Sequence, residues 1–258
     1  MKNIIVIANQ KGGVGKTTTV LNLATALTQK KKKVLVVDID PQGNATTGAG
    51  IEKGQLKGSI YDVLVNGVQL ADVIVQSPSC KFAIVPANRH LAGAEIELVN
   101  QAGREYKLQK ALNSVAANYD LILIDCPPAL SILTLNALSC AHYLLVPLQC
   151  EYYALEGLSD LLNTLKLMQA KLNPKLELLG IVRTMYDKRN NLAQDVSTQL
   201  VDYFAEKVFY ATIPRSVRLA EAPGFGSSAV ALDAKALGSQ AYLRLSRELI
   251  KRLDTPGL

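Results

Sequence analysis

The sequence predicts a single doubly wound α/β domain over residues 1–258, a mostly parallel sheet with helices on both faces. Short aliphatic runs alternate with segments of helical period along the whole chain, the rhythm of repeated strand–helix units. The runs are continuously apolar instead of alternating with polar residues, as strands covered on both faces must be. Neither a linker nor an internal repeat divides them.

The elements follow in order. Residues 3–8 (NIIVIA) and 33–38 (KVLVVD) are rich in β-branched residues and too short for helices. Between them Val20, Leu23, Ala24 and Leu27 recur at i, i+3, i+4 and i+7, one apolar stripe of a helix. Gly43, Gly48, Gly50, Gly54, Gly58 and Gly67 punctuate residues 43–80, where loops with short helices are expected. Further strands are expected at 82–86, 120–125, 143–148 and 178–184, and helices at 105–117, 155–172, 192–206 and 237–253.

Composition excludes several classes. With 49% hydrophobic and 19% charged residues the chain is neither disordered nor of low complexity. No stretch approaches the ~20 apolar residues of a membrane span. The start, Met1-Lys2-Asn3-Ile4-Ile5, enters an apolar run without the layout of a cleavable signal, so a cytoplasmic protein is expected. Cys80, Cys126, Cys140 and Cys150 form no CxxC, and neither His90 nor His142 completes a zinc set. Buried, reduced thiols are expected instead. The net charge of +6 favours an encounter with a polyanion without identifying one. The four lysines at 30–33 read as a solvated helix end, with a polyanion contact as the alternative.

The strongest chemical signal is Gln10-Lys11-Gly12-Gly13-Val14-Gly15-Lys16-Thr17-Thr18, set between the first strand and the first helix. A pair of β/γ-phosphates needs converging N–H donors, and only backbone poor in side chains wraps it closely. A helix opening at Lys16 adds its positive end. Lys16 can reach the phosphate oxygens, and the Thr17 hydroxyl is placed to hold Mg²⁺ directly. The match to GxxxxGK[ST] is incomplete: Gln10 stands where the first glycine belongs, and an extra lysine, Lys11, precedes the glycines. Carboxylates stand at the ends of two other strands. Asp38 and Asp40 lie in VVDIDPQGN, on one side if the strand continues, although Pro41 ends it. Asp125 closes LILIDCPP, the Walker B form. Ligands of such sheets bind beyond the carboxyl ends of strands, which brings these acids near the phosphate loop.

Taken with PLQCEYYALEGL and IPRSVRLAEAPGFG, these motifs stand in the order found in ParA/Soj-type chromosome-partitioning ATPases, which the chain resembles over about residues 2–253. KGGVGKT resembles the deviant Walker A motif of the wider MinD and ParA group, whose second lysine reaches the nucleotide bound by a partner subunit. The resemblance implies a P-loop ATPase that hydrolyses ATP to ADP and phosphate, with Mg²⁺. It forms a sandwich homodimer when ATP-bound, binds nonspecific double-stranded DNA, and is stimulated by a ParB/Spo0J-type partner; a cytoplasmic, nucleoid-associated protein follows. The same resemblance implies that Lys11, Gly12, Gly13, Val14, Gly15, Lys16, Thr17 and Thr18 cradle the phosphates. Lys11 crosses the interface and Gly12 stays small for two subunits to approach. Asp40 positions the attacking water and joins Lys11 and Lys16 as catalytic residues, while Asp125 holds the metal shell through water. Pro214 and Ser216 fall where the family brings a loop to the adenine, although Ser216 departs from the commoner Asn. Arg189 and Arg218 stand where relatives carry DNA-contacting arginines; read alone, each is a solvated surface residue.

Two relatives suggest rival readings. A MinD-like positioning ATPase needs an amphipathic membrane anchor, and residues 242–253 carry Leu243, Leu245, Leu249, Ile250 and Leu253 among Arg244, Arg247, Lys251 and Arg252. A helix covering the domain edge explains that pattern equally well, and Asp254-Thr255-Pro256-Gly257 brings no aromatic anchor, so no stable membrane association is expected. A reductase like the nitrogenase iron protein needs cluster-bridging cysteines, and Cys126 and Cys140 lack that family's motif contexts. A non-enzymatic DNA scaffold would leave the phosphate loop without purpose.

Overall fold

A computed structural model describes residues 3–255. Met1, Lys2 and the Pro256-Gly257 part of the tail reading lie outside the described residues. Seven strands form one sheet: β1 (Asn3–Ile7), β2 (Val34–Asp38), β3 (Val75–Gln76), β4 (Ala83–Val85), β5 (Leu121–Asp125), β6 (Tyr143–Gln149) and β7 (Glu177–Thr184). Their order is β3-β4-β2-β5-β1-β6-β7, with β3 antiparallel to β4 at one edge and every other pair parallel. The six longer strands coincide with the aliphatic runs of the sequence; two-residue β3 leaves no such signal.

Successive side chains of each strand enter different cores, the physical content of a doubly wound sheet. Ile4, Val6, Leu35, Val37, Ile122 and Ile124 face one side, packed by helices Leu91–Glu97, Ile132–Cys140, Ala154–Lys171 and Asn191–Phe204. Ile5, Ile7, Val34, Val36, Leu121 and Leu123 face the other, covered by α1 (Lys16–Thr28) and the helix Leu237–Asp254. All four cysteines are free and buried. The stripe of Val20, Leu23, Ala24 and Leu27 packs as expected, yet Thr19, Asn22 and Thr25 of α1 are buried too. Their polar atoms are matched by the chain's last fifth. The Thr19 and Tyr242 hydroxyls lie 3.0 Å apart, the Val230 N–H donates to Asn22 Oδ1 at 3.1 Å, and Ser228 Oγ donates to Thr25 Oγ1 at 2.8 Å.

The expected helix at 105–117 is broken into a 3₁₀ turn Arg104–Tyr106, a helix Lys107–Asn113 and a second 3₁₀ turn Ala116–Asn118. Side chains of the Ile132–Cys140 helix take its first backbone groups. Asn136 Nδ2 donates to the Arg104 carbonyl at 2.8 Å, Asn136 Oδ1 accepts the Leu108 N–H at 3.0 Å, and Ser139 Oγ donates to the Glu105 carbonyl. Helix Ile132–Cys140 itself left no periodic signal, because it is buried almost all round. The lysines at 30–33 follow the last turn of α1, where Lys31 adopts φ 62° and the Lys33 N–H donates to Asp120 Oδ2 at 2.7 Å. All four are exposed or half-buried.

The closing helix spends its apolar face on the core through Tyr242, Leu245 and Leu249. Among the described residues no helix is long and apolar enough to cross a membrane. Arg252 clamps that helix to the sheet: its guanidinium lies 3.8 Å from the Phe209 ring centroid and donates to the Leu179 and Val208 carbonyls at 3.2 and 3.0 Å. It also pairs with Glu248 at 3.0 Å, both side chains being mostly buried. Arg252→Ala removes charged hydrogen bonds that nothing replaces, and is expected to lower the unfolding free energy by about 2–4 kcal/mol in urea titrations.

Candidate functional site

The carboxyl ends of β1, β2 and β5 converge on one place because β5 pairs with both neighbours in register, Ile7 opposite Asp125 and Asp38 opposite Asp125. The loop after β1 turns through Gly13 at φ 75° and Gly15 at φ 87°, left-handed conformations that favour glycine. Gly15 caps α1, so the unpaired N–H groups of the helix's first turn open into the loop. The loop is tied down on two sides. Asn9 Nδ2 donates to the Pro147 carbonyl at 2.8 Å, while its Oδ1 accepts the Lys11 N–H at 3.0 Å. Thr184 Oγ1 donates to the Val14 carbonyl at 2.8 Å. Lys16, 7% exposed, folds over the loop and donates to the Lys11 carbonyl at 3.0 Å. Burial lowers its pKa, with Asp125 and Asp40 opposing. Lys11 points away and pairs with Glu151. At Gly12, as at Gly13, an added Cβ would meet nothing within 4 Å beyond its own chain neighbours.

The acids divide the work. Asp125 is fully buried; burial first, and then Asp38 beside it, pushes its carboxyl well above the usual range. Thr17 Oγ1 donates to Asp125 Oδ2 at 2.7 Å, and Asp125 Oδ1 has no hydrogen-bond partner. A buried carboxylate oxygen left free beside a helix-terminal hydroxyl fits Mg²⁺, which keeps several waters and takes few protein ligands. Asp38 is differently employed. It accepts the Asp40 N–H at 3.2 Å, the Thr46 N–H at 2.8 Å and Thr46 Oγ1 at 2.7 Å, which shapes the loop after β2. Burial raises it to about 6 despite these donors. The strand ends at Asp38, so Asp40 sits in the loop, mostly buried, its Oδ1 accepting the Gln42 N–H at 2.9 Å.

A cleft of about 200 Å³ adjoins the loop, lined by Gly13, Gly15, Thr18, Thr184, Pro214 and Ser216 with Leu219 and Tyr242 behind. Pro214 and Ser216 thus stand beside the phosphate loop although some 200 residues separate them in sequence. Ser216 begins the short helix Val217–Glu221, which carries Arg218. Arg189 and Arg218 are both exposed, at 90% and 69%, and both lie outside the cleft. Asp187 grips Arg189 with two hydrogen bonds of 3.0 and 2.8 Å and is itself held at about 2 by that arginine. Arg218 has only a loose pair with Glu221 at 3.6 Å. Sequence reasoning missed Asn9, Thr46, Thr184 and Glu151. An Asn just before the glycine run is a turn signal; Glu151 lies in a segment singled out without a role, and nothing local marks Thr46 or Thr184.

A family model described as an AAA domain matches residues 2–178. The chain is 50% identical over 253 residues to the chromosome partitioning protein ParA of Myxococcus xanthus, covering 98% of this chain and 89% of that one. It is 49% identical over 250 residues to the chromosome-partitioning ATPase Soj of Thermus thermophilus, 97% and 96% of the two chains. Among solved structures, cobyrinic acid a,c-diamide synthase from Mycobacterium smegmatis, with bound ATP analog and magnesium, superposes with a TM-score of 0.87. That protein is 37% identical, with 99% of this chain and 97% of that one covered.

Thr46 joins β2 to the segment after β4, since its hydroxyl also accepts the Ala87 N–H at 2.8 Å. Thr46→Val keeps the shape and strands both partners. A loss of about 2–4 kcal/mol in chemical denaturation is expected.

Proposed function

The chain belongs to the ParA and Soj family of chromosome-partitioning ATPases, and from that premise we propose that it is a DNA-segregation ATPase working as an ATP-driven sandwich dimer. One observation carries the reading: of two lysines in one phosphate loop, Lys16 is buried over its own cradle while Lys11 faces outward beside an open Gly12. All of residues 1–258 are read as one ATPase domain. The backbone of residues 11–18 and the Lys16 ammonium would hold the triphosphate of ATP, with the adenine in the cleft by Pro214 and Ser216. Thr17 directly, and Asp125 through water, would hold Mg²⁺, which when bound offsets phosphate charge. Asp40 would orient the attacking water, its backbone N–H held by Asp38 and its Oδ1 by the Gln42 N–H. Lys11 would enter the partner subunit's site, and the open space at Gly12 leaves room for a close approach of a second copy there.

DNA binding would be through phosphates and independent of sequence, since surface arginines read charge instead of base edges. Arg218 sits on the helix that Ser216 opens, so occupancy of the adenine cleft and the pose of Arg218 share one short segment. Dimerisation doubles the charged patch, which makes retention on DNA steeply dependent on ATP. A ParB/Spo0J-type partner would stimulate hydrolysis and release ADP monomers, giving a cytoplasmic, nucleoid-associated cycle. The MinD-like membrane alternative is disfavoured because the closing helix already buries its apolar face.

In the test, Asp40→Ala is expected to accumulate ATP-bound dimers on nonspecific DNA with hydrolysis lost, seen by sizing and gel shift; normal cycling would refute the role of Asp40. The two arginines are expected to differ. Asp187 engages Arg189 through two hydrogen bonds, whereas Arg218 has only a loose pair. Arg218→Glu should therefore weaken DNA retention on the order of tenfold or more, and Arg189→Glu less, with dimerisation intact in both at moderate salt.

A further inference from the structure

Of the ion pairs among the described residues, one lies on the face through which Lys11 would leave the molecule. Its partner, Glu151, sits in the turn after β6; one residue ties the loop to β6, and a backbone bond closes the turn itself. Asn9 bridges the Lys11 N–H and the Pro147 carbonyl, and the Glu151 N–H donates to the Gln149 carbonyl at 2.9 Å. Glu151 therefore meets Lys11 within a frame set by β1 and β6. Both side chains remain reachable from solvent, 47% exposed for Lys11 and 43% for Glu151. The two residues that follow Glu151 are Tyr152 and Tyr153, 76% and 67% exposed and stacked edge to face with ring centroids 5.0 Å apart. Open space at Gly12, an exposed aromatic pair and an outward lysine thus occur together, and the lysine is claimed by a carboxylate of its own chain.

We propose that Glu151 is a positioning residue for Lys11: it holds the ammonium within its own subunit and yields it when a second subunit presents a nucleotide. This rests on the sandwich-dimer reading above. The ammonium cannot serve Glu151 and a phosphate at once, and a triphosphate offers several charges where Glu151 offers one. The restraint is also of a releasable size. A half-exposed pair is worth little after solvent screening, so it biases the position of Lys11 by a factor of about two to five without locking it. Until exchange occurs, Glu151 keeps Lys11 extended along the β6 side and off its own cradle, where Lys16 already stands. Association of subunits is thereby disfavoured by the same small factor until the incoming nucleotide outcompetes the carboxylate.

Glu151→Gln keeps the shape and removes the charge; Glu156→Gln, an exposed acid one helical turn on, serves as control. Two readouts separate this inference from the dimer reading. The first is the acylation rate of Lys11 in the purified protein without nucleotide, measured by peptide mass spectrometry relative to Lys53. The second is the protein concentration at which ATP and magnesium produce dimers in analytical ultracentrifugation. The expected result is Lys11 acylated two to five times faster in Glu151→Gln, with dimers at a correspondingly lower concentration and neither change in the control. Unchanged Lys11 reactivity overturns the proposal even if the wild type dimerises. Faster acylation with weaker dimerisation also overturns it, since Glu151 would then serve the assembled interface. Faster acylation with no ATP-induced dimer in the wild type sinks the sandwich reading, and the restraint with it, while leaving the ion pair demonstrated.

Discussion

Two carboxylates lie side by side in the dry centre of this site, and much of the surrounding structure answers to them. Parallel pairing of β2 with β5 sets Asp38 opposite Asp125, both without exposure to solvent. Burial raises the pKa of both, and a neighbouring carboxylate raises each further, Asp38 acting on Asp125 and Asp40 on Asp38. The neighbourhood is arranged around that repulsion. Three donors hold Asp38, Thr17 holds one oxygen of Asp125, and the buried Lys16 supplies the countercharge. One oxygen of Asp125 is left over. The fold thus stabilises one acid internally and leaves the other short of a partner, a deficit suited to a divalent cation.

How much of this the sequence disclosed depended on the range of the interaction. The six longer strands were legible because each is a short aliphatic run, and α1 because its stripe repeats every third or fourth residue. The phosphate loop was legible because glycine conformation, lysine and threonine lie within nine consecutive residues. Helix Ile132–Cys140 was not, since apolarity on all sides carries no period, and the 105–117 segment was misread because Asn136 and Ser139 intercept its backbone from elsewhere. The loop geometry of Asp38 depends on Thr46, eight residues on, and the anchoring of Val14 depends on Thr184, 170 residues away. No local pattern encodes such pairs. The outward lysine was visible, but the carboxylate that meets it was not, because 140 residues separate them.

The two arginines placed by resemblance show why position alone is a coarse guide to electrostatics. Both stand on the surface, yet Asp187 engages Arg189 with a forked pair of hydrogen bonds, whereas Glu221 meets Arg218 only at 3.6 Å. Exposed charge counts toward a polyanion only to the extent that it is not already spent at home.

Helix α1 begins at the phosphate loop near the start of the chain, but the hydroxyls and amide on its far side are satisfied by Ser228, Val230 and Tyr242. These contacts span 203 to 223 residues of sequence. During synthesis, chains fold as domains emerge, and distant pairings come last. A nascent chain that has exposed its glycine loop still lacks the wall behind it. The helix behind the glycine loop is therefore fully braced only once residues 228–242 have emerged, and a shorter nascent chain leaves its hydroxyls and amide unpaired.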